Sequence, residues 1–259
     1  MPKADYPKYE IKPFNPEMIK PTSVVQIIGP RNTGKSVLQL DLLYHLRRYF
    51  DYGVAMSPTT DTLKDWRGRI PLSSIYNRYR VDVLEAILRS QNRDLDDDRV
   101  TRPLFLLTDD CMYESKLLKS EPIRELFMNG RHKNIFFMNT VQNMMDIPSG
   151  IRGCIDFVFI TNIDSPQDRK RIYENFPNPF VNLTDFKRNL NKLTTGYTSM
   201  VLARQGKTGN NEVTDKVFYY NANPNIPPFR LCKPVFWYLD TKYNVKNVEN
   251  NEDGVIIVE

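Results

Sequence analysis

One stretch limits what this chain can become: Ser23–Phe50, SVVQIIGPRNTGKSVLQLDLLYHLRRYF. Val24 to Ile28 is a short apolar run of the kind that forms a buried strand. It runs straight into Gly29-Pro30-Arg31-Asn32-Thr33-Gly34-Lys35-Ser36, which fits the pattern G-x-x-x-x-G-K-[ST]. Beyond it, Val37, Leu38, Leu40, Leu42, Leu43 and Leu46 recur at helical spacing. Strand, glycine-bracketed loop and helix, in that order, are what a phosphate-binding loop requires.

The residue types follow from the task. Gly29 and Gly34 permit backbone angles and close approaches that a side chain would block. The loop N–H groups and the N-terminus of the next helix converge on one anion. Lys35 brings a point charge to the β- and γ-phosphates, and Ser36 a hydroxyl for Mg²⁺. We expect Gly29, Pro30, Arg31, Asn32, Thr33, Gly34, Lys35, Ser36 and Val37 to surround the phosphates of ATP, with Mg²⁺ as the second cofactor.

The rest of the chain alternates strands with helices. Strands are expected at Tyr52–Thr59, closed by the turn at Pro58, and at Leu104–Thr108, Asn134–Gln142 and Phe157–Thr161. Helices are expected at Asp61–Arg67, around Val81, Leu84, Ile87 and Leu88, at Glu121–Gly130, after the Ser165-Pro166 start signal, and at Thr184–Leu193. Tyr197–Ala203 and Val217–Tyr220 read as a late β-hairpin at the sheet edge. This predicts an α/β fold of the P-loop NTPase type (RecA/ASCE-like), a mainly parallel sheet flanked by helices. Residues 1–22 read as an N-terminal arm, either a disordered tail or a segment packed on a neighbour. Residues 23–221 form the ATPase domain, and 222–259 a C-terminal extension, partly docked and partly flexible.

Composition removes several alternatives. The 259 residues contain only two histidines, so a histidine-rich metal site is excluded. Cys111, Cys154 and Cys232 lack C-x-x-C spacing, which fits a reducing compartment without structural zinc. No apolar run reaches the roughly 18–20 residues of a membrane span. The net charge of +5 is compatible with nucleic-acid contact but equally with none. Arg93 to Arg99, with three adjacent carboxylates, reads as a solvated loop.

In a doubly covered parallel sheet, ligands collect at the carboxyl ends of the strands. Two further polar features fall there. Asp109-Asp110 follows an apolar strand, as the acid pair of a nucleotide hydrolase does. Asp109 is assigned to the metal and Asp110 to the base that takes a proton from water. Gln142 ends the following strand, which is expected between the loop strand and the acid-pair strand, as a γ-phosphate sensor. Asn139 and Asn143 are the near alternatives. Arg131 precedes that strand, at its opposite end, and seven residues span roughly 23 Å. It is either a helix-end cation or an arginine finger acting in trans on a neighbour's nucleotide. Arg152, expected on the nucleotide side, is the rival.

GPRNTGKS, LFLLTDD and FMNGRHKNIFFMNTVQ together resemble the packaging ATPases of nucleocytoplasmic large DNA viruses, the poxvirus-type group of the HerA–FtsK superfamily. The resemblance covers roughly residues 20–205. It implies a homo-oligomeric ring, pentamer or hexamer, that hydrolyses ATP to drive double-stranded DNA into a capsid. Capsid proteins are then partners, and the virion and the host cytoplasm (viral factory) the location. It assigns Lys35 and Ser36 to the loop, Asp109 and Asp110 to the acid pair, Gln142 to the sensor and Arg131 to the finger. Arg204, Lys207, Arg67 and Arg69 are candidate DNA contacts. Two other readings compete: a nucleotide-regulated virion assembly or scaffold ATPase, and a small-molecule kinase with Arg169-Lys170-Arg171 as a lid.

Overall fold

A computed structural model describes residues 8–97, 101–111, 120–143, 147–176, 179–204 and 213–248. The strands within them join one sheet: β1 (Lys12–Pro13), β2 (Val24–Ile28), β3 (Tyr52–Met56), β4 (Ile75–Tyr76), β5 (Leu104–Asp109), β6 (Ile135–Val141), β7 (Phe157–Ile160), β8 (Thr198–Ala203) and β9 (Val217–Asn221). The helices are α1 (Lys35–Leu46), α2 (Thr60–Trp66), α3 (Val81–Asp96), α4 (Glu121–Asn129), α5 (Ser149–Arg152), α6 (Pro166–Asn175), α7 (Leu183–Leu193), α8 (Val213–Lys216) and α9 (Pro234–Val248).

The strand order is β1-β9-β8-β7-β2-β6-β5-β3-β4. Only β8 runs against its neighbours; every other pairing is parallel. The expected hairpin is β8–β9, and β1 is added outside it. β2, β5, β6 and β7 are buried along their whole length, which explains their unbroken apolar runs. Strand β6 lies between β2 and β5, where the sensor strand was expected.

Side chains alternate across the sheet and form two cores. One gathers Leu104, Leu106, Phe137, Ile28 and Val158 under α3, α4, α6 and α7. The other gathers Phe105, Leu107, Phe136, Val25 and Ile27 under α1 and Trp66 of α2. Helix α6 starts as its sequence signals: Pro166 is its first residue, and the Ser165 hydroxyl accepts the Asp168 N–H at 3.2 Å. Within the first core Gln26, Asn139 and Thr108 form a buried polar row across β2, β6 and β5. Asn139 Nδ2 donates to Gln26 Oε1 at 2.9 Å, and Thr108 Oγ1 donates to Asn139 Oδ1 at 2.7 Å.

Several local expectations change. The described part of the arm, residues 8–22, packs on this chain's own sheet: β1 pairs with β9, and Phe14 and Ile19 are buried in the second core. Arg93 to Asp96 continue α3 as helix, because the amphipathic pattern runs on; Asp98 and Arg99 lie outside the described residues. The C-terminal extension docks through buried Phe229 and Leu231, then forms α9, whose Asp240 carboxylate accepts the N–H groups of Leu72 and Ser73. Residues 1–7 and 249–259 lie outside the described residues.

Candidate active site

The carboxyl ends of β2, β3, β5 and β6 open into a cleft of about 640 Å³. Arg31, Asn32, Gly34, Lys35, Ser36 and Val37 line it from the loop, and Asp109, Asp110 and Gln142 from the ends of β5 and β6. Thr59, Asp61, Thr62 and Asp65 close it from the α2 side.

The loop is fixed by contacts that its sequence permits. Gly29 packs so closely on β7 that a Cβ there would lie 1.8 Å from Thr161 Oγ1. The Thr33 hydroxyl reaches Thr161 Oγ1 at 2.7 Å and Pro30 O at 2.8 Å. Asn32 takes a positive φ of 61°, a conformation asparagine tolerates better than most residues. Thus Gly29, Pro30 and Thr33 shape the loop, while its remaining residues face the cleft. Lys35 Nζ donates to the carbonyls of Gly29 at 2.8 Å and Pro30 at 2.9 Å. Burial lowers the ammonium's pKa, against the opposing pull of Asp110 and Asp109. An entering phosphate therefore exchanges with backbone carbonyls for this charge.

The two acids differ. Asp109 is buried and accepts from three hydroxyls: Thr62 at 2.7 Å, Ser57 at 3.1 Å, and Thr140. Asp110 turns into the cleft with a positive φ of 50°, a strained conformation of the kind found at functional sites. Burial pushes its carboxyl above the usual range and Asp109 adds to this; the hydrogen bond from Gln142, Lys35 and Arg31 oppose it. Gln142 Nε2 donates to Asp110 Oδ2 at 2.7 Å, so the expected sensor and base are in contact.

The donor set fits Mg²⁺. Among the described residues no group of three or more His, Cys, Asp and Glu side chains forms a metal cage. A magnesium ion bound with a nucleotide needs few protein ligands, because it keeps waters and phosphate oxygens. Ser36 and Asp109 would hold it, Asp109 through water because its oxygens already accept three hydroxyls.

Asn139 is no sensor: its side chain lies in the buried row with Gln26 and Thr108. Arg131 stands at the opposite edge of the sheet, where its Nη2 meets Asp156 Oδ1 at 2.6 Å. The same carboxylate accepts the Val24 N–H that opens β2. Arg152 is not on the nucleotide side. Helix α5 ends at the start of β7, which places Arg152 at the amino edge beside Asp156, its Nε bonded to Ile147 O. Arg204 is at that edge too, its N–H bonded to Asp156 O. Arg67 is exposed at the end of α2. Arg69 is half-buried, bonded to Asp65 O at 2.6 Å and placed over the Phe229 ring. Lys207 lies outside the described residues. Arg169 pairs with Asp164, which precedes α6, and Lys170 and Arg171 pair with Glu174 and Asp168 along it; they form no lid.

The sequence reading missed Ser57, Thr62 and Thr140. For Ser57 and Thr62 the available signal was the hydroxyl-rich run Ser57-Pro58-Thr59-Thr60-Asp61-Thr62 at a strand's carboxyl end; Thr140, inside β6, had none.

No protein-family model matches the chain. It is 30% identical over 237 residues to protein 088R of Invertebrate iridescent virus 3, a match spanning 86% of this chain and 89% of that protein. It is 28% identical over 259 residues to protein 075L of Invertebrate iridescent virus 6, spanning 95% and 100%. Among solved structures, the genome packaging NTPase B204 from Sulfolobus turreted icosahedral virus 2, in complex with ATP-γS, matches with a TM-score of 0.56 and 13% identity. That match covers 78% of this chain and 97% of B204. The chain belongs to the family of large-DNA-virus proteins that includes 088R, and its fold is that of the viral genome-packaging NTPases.

Proposed function

We propose that this protein is an ATP-hydrolysing motor that moves double-stranded DNA into a viral capsid as a homo-oligomeric ring. The observation that carries the hydrolytic part is the Gln142–Asp110 hydrogen bond across the cleft from Lys35. A kinase has no need of a paired acid and amide to handle water; a hydrolase does.

In this reading the loop N–H groups and Lys35 bind the phosphates. Asp110 accepts a proton from the attacking water, and its raised pKa makes it a better proton acceptor than an ordinary carboxylate. Gln142 orients that water and the Asp110 carboxylate together. Mg²⁺, when bound, screens the phosphate charge. Arg131 is exposed at the opposite edge, held by Asp156, where a neighbour's nucleotide would meet it in a ring. Arg204 at the same edge and Arg67 are the candidate DNA-backbone contacts. Capsid proteins are the proposed partners, and the virion and viral factory the proposed location. B204 is a genome packaging NTPase, and the shared fold supports this reading.

The test is ATP turnover with and without duplex DNA. Wild type should be stimulated by duplex, and Lys35→Ala should lose about 10²–10³-fold in rate. Arg131→Ala should be inactive alone and should poison wild-type subunits in mixtures. Turnover indifferent to duplex in the assembled protein would refute the motor. Active Arg131→Ala protein would refute action in trans.

A further inference from the structure

The sheet order gives the bound nucleotide a direction. Acid pair and sensor lie on one side of β2, at the ends of β5 and β6. The γ-phosphate belongs there. Backbone N–H groups around the start of α1 hold the α- and β-phosphates. A nucleoside continuing past the α-phosphate therefore leaves on the other side of β2, over β7 and β8.

One side chain stands at that exit. Tyr197 immediately precedes β8, whose first residues lie at the carboxyl end of β7 because the two strands are antiparallel. Its ring packs on the phosphate loop: a Cβ built on Gly34 would be 3.1 Å from Tyr197 Cδ1 and 3.6 Å from Cε1. Gly34, with φ +84°, is thus required twice, for its backbone angle and for the approach of this ring. The backbone holds the residue firmly. Gly196 turns the chain with φ +60°, Tyr197 O accepts the Ala222 N–H at 3.1 Å, and Thr198 N–H donates to Thr195 O at 3.0 Å. Yet Tyr197 remains 46% exposed, among the more exposed large apolar side chains. A rigidly placed aromatic, one edge on the loop and the rest open, has no packing reason to be exposed.

We infer that Tyr197 is the stacking platform for the nucleobase of the bound triphosphate, a base subsite separate from the phosphate and hydrolysis residues. The inference rests on the nucleotide reading of the cleft. Stacking uses the π-face that all bases share, so the subsite adds affinity with little choice among bases.

The test compares ATP with inorganic tripolyphosphate, which carries the phosphates without a base, by calorimetric titration of the full chain. Tyr197→Ala should weaken ATP binding about tenfold and change tripolyphosphate binding less than about twofold. Tyr197→Phe should keep both affinities, and GTP should lose affinity in Tyr197→Ala as ATP does. Equal losses for ATP and tripolyphosphate would mean the ring only supports the loop, and would overturn the inference. So would unchanged ATP affinity in Tyr197→Ala. Wild-type protein that binds neither ligand would overturn the nucleotide reading and the base subsite with it.

Discussion

Asp110, the proposed base, sits in an environment that costs the fold. Its backbone is left-handed and its carboxyl is held above the usual pKa, chiefly by burial. A carboxyl whose pKa is raised on folding destabilises the folded state wherever it is ionised there. That penalty is absent below the unfolded-chain value of about 3.9 and develops as pH rises through the folded value. Unliganded Asp110→Asn should therefore melt above wild type at pH 8, and the difference should close below about pH 4. Scanning calorimetry across that range checks it. With Asp110 as the proposed base, the turnover rate of wild type should fall on acidification, with a midpoint above the ordinary carboxylate value, because the protonated form could not take a proton from water. Asp109 contrasts with it in being enclosed by three hydroxyls from β3's exit, α2 and β6. The hydroxyl-rich run from Ser57 to Thr62 was visible in the sequence, but its meeting with Asp109, like that of Thr140, shows only once the strand order is known. The acids themselves were legible, since an apolar run ending in two carboxylates needs no partner to be recognised.

Among the elements, β2, β5 and β6 work as a unit. The row Gln26–Asn139–Thr108 ties β2, β6 and β5 through side chains, one to three residues before Gly29, Gln142 and Asp109. Such a buried network is stable only when every member is satisfied. Asn139→Ala would leave the Gln26 amide oxygen and the Thr108 hydroxyl without these partners, at about 1–3 kcal/mol each. Urea unfolding should show a loss of about 2–6 kcal/mol with the fold retained. At this scale the sequence was most informative: strand and helix positions follow from buried apolar runs and from caps such as Ser165. It was least informative where an element crosses the molecule. Arg152 follows Gln142 by ten residues, yet it lies at the opposite end of the strands, beside Asp156. The two-residue strands β1 and β4 have no periodicity to read, and exist because longer neighbours offer them an edge.

For the whole molecule, the sheet has two ends, and both are closed by strands of two residues. An unpaired edge is a template on which another copy of the chain adds its own strand. Strand β9 would be such an edge, since its neighbour on one side is β8 and on the other, among the described residues and besides the Phe14 N–H bonded to Tyr219 O, Lys12 and Pro13. Those two residues replace a five-residue row of donors and acceptors with a charge and an imino acid, which has no N–H to offer. Protein trimmed to begin at Ser23 should expose that row, together with the cavity left by Phe14. Light scattering should find it self-associating at concentrations where the full chain is not. The segment before the phosphate loop thus also acts as a stopper: for a protein whose copies are proposed to meet in a ring, it removes one wrong way for them to join.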